Sequence, residues 1–438
     1  MTRFVFPLCL AIAAGLLART VDAAESLRDA IAADYDARLA DLFEHFHANP
    51  ELSFREVATA ERLAAELRAS GYAVTQGVGG TGVLAVLRNG DGPTVMLRTD
   101  MDGLPVEERS GLAYASKVRQ VDITGIEQPV MHACGHDVHM TGLVGAAKQL
   151  AERVDEWSGT VVLIGQPAEE RGSGARAMLE DGLYTRFPKP DYALAFHVWA
   201  SYPAGKLFVP RAIAWSSSDT VDIVVHGIGT HGATPHRGVD PVLVAAQIVV
   251  TLQSVLSRTV DPFEPGVITV GAIHGGTKHN IIGERVDLQL TVRSDNTATR
   301  EILLDSIDRV AEGVATSLGV PKDRLPEVHR SPTETTPPVL NDIATAEVVR
   351  SAFLEHFGAE YVVDLPRDGM AAEDFAYYVT PEHGVKGVYF FVGGTPEAGL
   401  ATPPSQHSPE FKVESESAIK AGAEAMVVGA MTLLRKEP

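Results

Sequence analysis

Four short apolar runs in this chain lead into residues able to ligate a cation or move a proton. Residues 94–98 (Thr-Val-Met-Leu-Arg) run into Asp100 and Asp102, residues 160–165 into Glu169 and Glu170, and residues 192–196 into His197. Residues 387–392 lead to a loop that carries His407. Uninterrupted apolar runs of this length read as strands buried in an α/β sheet. Between the first two, Val138, Leu143, Val144, Ala147 and Leu150 recur at helical spacing, which predicts a helix over 137–153 that starts at the sequence His132-Ala133-Cys134-Gly135-His136-Asp137. In open α/β sheets ligands bind beyond the carboxyl ends of the strands. The predicted strands therefore gather a thiol, imidazoles and carboxylates at one sheet edge.

The chain of 438 residues is too long for one core, so two domains are expected. Helical spacing over 27–70, broken at Asn49-Pro50, predicts two helices before the first strands. The pattern changes near Ala214, at Ser216-Ser217-Ser218-Asp219, into alternating strands over 220–225, 266–272 and 285–293, with helices over 241–256 and 300–318. It ends in the Pro- and Thr-rich stretch 332–341. This predicts a smaller α+β domain, residues 215–334, inserted into a catalytic domain made of residues 24–214 and 335–438. Residues 1–23 read as a cleaved secretory signal: Arg3, an apolar run over 4–17, and Val21-Asp22-Ala23 before the cut. The mature chain is expected to be secreted or periplasmic, with no membrane association once the signal is gone.

Loss of Cys9 with the signal leaves Cys134 as the one thiol, which cannot form an internal disulfide. In an oxidising compartment a lone thiol survives when it is buried or bound to metal. Thiolate and imidazole are the ligands a borderline-soft divalent ion prefers. Taken alone, a Cys beside a His is more often a small buried residue next to a helix-capping one, and Glu169-Glu170 alone is more often a solvated turn. Together with His136 and His197 at the same edge, one acid of the pair can ligate metal while the other acts as general base on a metal-activated water. A net charge of −20 with no basic run excludes nucleic acid and anionic lipid as partners and leaves small-molecule chemistry.

With Asp100–Pro105 reading Asp-Met-Asp-Gly-Leu-Pro, His132–Asp137, Gln166–Glu170 and His407-Ser408 in this order, the chain resembles the dinuclear-metal amidohydrolases and exopeptidases, the family of hippurate hydrolase, indole-acetyl-amino-acid hydrolase and N-acetyldiaminopimelate deacetylase. The resemblance covers essentially the whole mature chain. It implies a mixed-sheet, zinc-exopeptidase-like α/β catalytic domain, with the inserted domain serving as a lid and as a homodimer interface. It implies two divalent ions per subunit, Zn or Mn with Co or Ni as alternatives, held by Cys134, His136, Glu170, His197 and His407, with the Cys134 thiolate between them. Glu169 matches the general base and Asp102 the acid that orients a metal-bound His. His231, in Gly229-Thr230-His231-Gly232, matches a histidine that stabilises the oxyanion from the lid or from a partner subunit. Asn280 and Arg293 match positions that hold substrate and its α-carboxylate. Gly283 departs from the family, which usually has Pro there. Met370–Phe375 resembles a segment lining the substrate pocket. Asp100 reads as structural, His132 and His139 as neighbours of the site, and His45, His47, His356 and His383 as ordinary surface or helix residues. The activity implied is hydrolysis of an N-acyl amino acid to a carboxylate and a free amino acid; the alternative is a metallo-carboxypeptidase or dipeptidase acting on short peptides. A binding protein that has lost catalysis would not be expected to keep Glu169, Asp102 and every ligand, and a structural zinc site would have four ligands and no spare acid.

Overall fold

A computed structural model describes residues 26–434; the signal segment, including Cys9, lies outside the described residues. The larger unit is a seven-stranded mixed sheet, in the order Ala73–Val78, Gly82–Asn89, Gly159–Gln166, Thr94–Asp100, Tyr192–Pro203, Lys386–Thr395, Leu207–Phe208. The four strands from Gly159–Gln166 to Lys386–Thr395 run parallel. The outer strands are antiparallel to their neighbours. The parallel strands are covered on both faces, which explains their continuous apolar runs: Gly159–Gln166 is buried at every position.

One face is covered by the helices His136–Glu152 and Ser415–Leu433, joined by Val57–Ala69 and Ile343–Phe357. The first two both cross Phe196 where it rises from the sheet: a Cβ on Gly422 would lie 2.6 Å from the Phe196 ring and a Cβ on Gly142 2.9 Å from it. The approach at Gly142 sets the height of the helix bearing His136 above the strand bearing His197. The opposite face packs Trp215, Phe375, Tyr378 and Tyr389.

After Phe208 the chain leaves this sheet, and beyond Trp215 it forms a second, four-stranded antiparallel one, in the order Gly266–Gly275, Arg285–Ser294, Ser217–His226, Glu327–Thr336. Helices Pro241–Arg258 and Thr297–Ser317 cover one of its faces with a core of their own, built on Ile248, Leu252, Leu288, Leu303 and Ile307. Outgoing and returning chains run side by side, with Trp215 opposite Val339 and Ser218 opposite Thr336.

One strand has no counterpart in the sequence reading and one expectation needs correction. The Pro- and Thr-rich stretch at the end of the second domain belongs in part to the strand Glu327–Thr336. Its register breaks between Asp219 and Val221 of the neighbouring strand, and an edge strand with an irregularity accommodates Pro332, which has no N–H to donate. His47 is no surface residue. It is 3% exposed, because its helix, Ala40–Ala48, packs against His136–Glu152 and the ring turns inward between Asp137 Oδ2 at 2.6 Å and Glu108 Oε1 at 3.0 Å.

This pair of contacts sets a stability expectation. Burial alone would lower the His47 pKa, but the hydrogen bonds and charges of Asp137 and Glu108 raise it to about 10. Since the folded chain holds this proton more tightly than the unfolded one, the stabilisation is complete below about pH 6.5 and is lost as pH rises toward 10. His47→Gln is expected to cost about 3–5 kcal/mol at pH 6, and the gap to wild type should narrow in urea unfolding at pH 8 and again at pH 10. A gap independent of pH would mean that His47 is neutral in the fold.

Candidate metal centre

The donors converge because the carboxyl ends of the parallel strands and the N-terminus of helix His136–Glu152 meet at one place. Gly135 makes the turn into helix His136–Glu152 at φ 92°, and a Cβ there would lie 2.4 Å from Val198 Cγ1, so only glycine lets Cys134 and His136 sit against the strand bearing His197. Cys134 Sγ is 3.4 Å from His197 Nε2 and 3.3 Å from His407 Nε2. His407 Nε2 is 3.6 Å from Glu170 Oε2. His136 Nε2 is 3.8 Å from Glu170 Oε1 and 3.8 Å from Glu169 Oε2.

The rings are aimed from their far sides. His136 Nδ1 donates to the Asp102 carbonyl at 2.8 Å, and His197 Nδ1 donates to the Val198 carbonyl at 2.7 Å. Both therefore present Nε2 lone pairs to the centre. His139 does not: its Nε2 accepts from Val198 N and its Nδ1 donates to Asp100, which occupies both nitrogens. His132 is buried 6.4 Å from His136, ring to ring, with neither nitrogen bonded.

The residues present fit divalent cations. His136 Nε2 and Glu170 Oε1 are buried and without a hydrogen-bond partner, a costly state that a cation would relieve. Bonds of about 2.0–2.3 Å to a tetrahedral ion set neighbouring donors roughly 3.3–3.8 Å apart, as these atoms are. Cys134 belongs to two donor groups, one with His136 and His197 and the other with Glu170 and His407. Burial, with the nearby Glu170 and Glu169 charges, holds its thiol well above the usual range.

His136 is oriented by the Asp102 backbone carbonyl, with the Asp102 carboxylate 3.5 Å from its Nδ1; the carboxylate itself orients the acid pair. Its Oδ1 accepts from Glu169 N at 3.0 Å and its Oδ2 from Glu170 N at 3.1 Å and Ser53 Oγ at 2.6 Å. Burial raises the pKa of both acids, Glu170 to about 8, where Asp102 and Asp100 add to the effect against the pull of His136, and Glu169 well above the ordinary range, where the carboxylates of Glu373, Glu170 and Asp374 add to it.

Behind the pair lies a network that sequence reasoning missed. Arg98, wholly buried, donates to Asp100 at 2.7 Å, Glu373 at 2.7 Å and Gln166 at 2.9 Å. Gln166 in turn donates to Asp374 at 2.6 Å, and Tyr389 Oη to Glu373 at 2.6 Å. The visible signal was Arg98 itself, a charge at the end of an otherwise apolar strand.

Glu373 and Asp374 of this network join the donors in lining a cavity of about 800 Å³ that reaches from Cys134, Glu169 and His407 to Arg293 and Thr291 on the second sheet, past Trp199 and Trp215. The two indoles lie 5.7 and 5.4 Å from the His197 ring. Arg293, half-buried, donates to Thr291 Oγ1 at 3.2 Å, and burial lowers its pKa. His231 and Asn280 are not brought to this cavity. They share a separate exposed hollow with Lys278 and Ile281, on the paired strands Thr230–His231 and Ile281–Ile282.

Comparison with known proteins gives a consistent picture. A family model, peptidase family M20/M25/M40, matches residues 96–430. Thermostable carboxypeptidase 2 of Saccharolobus solfataricus is 35% identical over 402 residues, 89% of this chain and 94% of that one. The hippurate hydrolase of Campylobacter jejuni is 34% identical over 346 residues, 79% of this chain and 86% of that one. Among solved structures, the YXEP protein of Bacillus subtilis, a dinuclear metal-binding peptidase, superposes with a TM-score of 0.75 at 28% identity, covering 92% of this chain and 99% of that one.

Proposed function

The chain belongs to peptidase family M20/M25/M40, and from that premise we propose that it is an exported amidohydrolase that cleaves N-acyl amino acids to a carboxylate and a free amino acid. The observation that carries the reading is a five-residue donor set, Cys134, His136, Glu170, His197 and His407, with the second acid of the pair, Glu169, beside it in a cavity that ends in Arg293. Two divalent ions, Zn or Mn, with Co or Ni able to substitute, would be held by the donor set. When bound they would polarise the amide carbonyl and acidify a water.

The chain's own residues do the rest. Glu169 accepts the water's proton and returns it to the departing amine, so that one carboxyl serves as base and then as acid. Asp102 keeps Glu169 and Glu170 in register through their backbone N–H groups. Arg293 receives the substrate's carboxylate with its forked donors, and Trp199 and Trp215 offer aromatic surface to the acyl group. His231 would add a donor to the oxyanion and Asn280 would hold the substrate. Since both lie in a separate hollow, this step needs closure of the second sheet over the first or a partner subunit. The relatives include a carboxypeptidase, so short peptides remain the second substrate class.

The test is amino-acid release from benzoyl-glycine, acetyl-methionine and a set of dipeptides, by metal-stripped protein with and without added Zn, Mn or Co. Metal-dependent release from the acylated amino acids, exceeding that from dipeptides, is expected. Release confined to dipeptides would replace the amidohydrolase by a dipeptidase, and no release with metal bound would leave a binding protein.

A further inference from the structure

The turn that presents Glu169 and Glu170 is held from behind by a residue that the mechanism has not used. It begins at Ala168, whose φ of 49° lies in the left-handed region that a side chain with a Cβ avoids. Phe54, at φ 60°, is in the same region in the loop ahead of helix Val57–Ala69. Both backbone N–H groups end on one atom: Glu56 Oε1 accepts from Phe54 N at 2.9 Å and from Ala168 N at 2.8 Å. Thr81 Oγ1 donates to the other oxygen. Glu56 is 0% exposed, and among the described residues it forms no ion pair.

A carboxylate buried without a cation is expensive, and here its hydrogen bonds go to the two strained backbone positions. Asp102 then takes the next two N–H groups, those of Glu169 and Glu170. Three successive backbone donors, from Ala168 to Glu170, thus end on two buried carboxylates from different segments. Ser53, three residues before Glu56, donates to Asp102 Oδ2 and ties the two together. The Ala168 carbonyl is held by Gly174 N at 3.2 Å and Ser173 N at 3.4 Å, and its N–H by Glu56; release of the N–H side would swing both acids, since each is reached through the Ala168 backbone.

We propose that Glu56 is a positioning residue for the acid pair: its carboxylate, by fixing the left-handed turn at Ala168, sets Glu169 as base and Glu170 as metal ligand. The proposal rests on the roles given to those two acids above.

Reach and charge can be separated by substitution. Glu56→Gln keeps the length, and its amide oxygen still accepts from Phe54 N and Ala168 N while its NH2 donates to Thr81. Glu56→Asp keeps the charge but draws the oxygen back by about 1.5 Å, one carbon–carbon bond. In the full chain, Glu56→Gln is expected to stay within about threefold of wild type in kcat and in affinity for Zn or Mn measured by calorimetry, whereas Glu56→Asp should lose about 10–100-fold in one or both, with KM changed by less than about threefold.

A role limited to stability would lower the melting temperature and leave kcat per metal-loaded molecule and metal affinity at the wild-type values, which would overturn the proposal. So would a Glu56→Gln variant as impaired as Glu56→Asp. Should Glu56→Asp fail to fold, Ala168→Gly in the same chain supplies the left-handed turn without strain, and recovery of folding and of at least part of the metal affinity is expected; folding without that recovery counts against the proposal. If wild type hydrolyses none of the substrates, the function reading fails, while the calorimetric comparison still decides whether Glu56 positions Glu170.

Discussion

Glu169→Gln lowers kcat by about 10³-fold, within the 10²–10⁴ that a positioned general base contributes, and leaves KM and metal content within about threefold of wild type. The glutamine keeps the length and the backbone N–H to Asp102, so the Glu170 turn stays in place and the donor set is untouched. What disappears is the carboxyl next to the donor set that takes and returns the proton. The loss corresponds to about 4 kcal/mol of transition-state stabilisation. The folded state should not suffer, because Glu169 is buried beside the carboxyls of Glu373 and Asp374, a setting that disfavours a charge at this position and accommodates a neutral amide. Single-turnover rates on metal-loaded protein, metal analysis and a thermal melt of the same preparation check all three parts. Turnover within tenfold of wild type would move the base to another residue.

The sequence made the parallel strands legible because burial on both faces leaves a continuous apolar run. It placed Glu169, Glu170 and His197 because each follows such a run within a few residues, and Cys134 and His136 because they stand at the start of a helical pattern. Cys134, His136, Glu169, Glu170 and His197 are each read from one short window. His407 was harder, since it follows its strand after a loop and sits at φ 63°, a conformation that no local pattern announces. The supports escaped for a shared reason. Arg98 meets Glu373, His47 meets Asp137 and Glu56 meets Ala168 across 275, 90 and 112 positions of sequence, and a partner at such a distance leaves no periodicity. The strand Glu327–Thr336 escaped because its Pro and Thr content reads as a loop, and only pairing with Ser217–His226 makes it an edge strand. The placement of His231 in its own hollow depends on how the second sheet sits over the first, which no residue pattern encodes.

The sharpest separation of ligand from packing residue comes from Cys134→Ser. Cys134 is 8% exposed and forms no disulfide, so as a packing residue it is replaced by serine at a cost of about 1 kcal/mol, and the metal-free proteins should melt within a few degrees of each other. As a ligand it is irreplaceable. Its sulfur lies between His197 and His407, where burial, with Glu170 and Glu169 beside it, disfavours a bare thiolate that a bound cation would stabilise. A serine hydroxyl does not ionise under these conditions and offers no soft donor. Metal that binds only the folded chain stabilises it by about 4 kcal/mol at a thousandfold excess over the dissociation constant. Wild type should therefore gain many degrees on addition of Zn or Mn, Cys134→Ser should gain little, and its turnover should fall by at least about 10³-fold, since two donor groups lose their common member. An equal gain in the two proteins would show that the histidines and Glu170 hold the ions without the thiolate, and Cys134 would return to being a small buried residue at the foot of a helix.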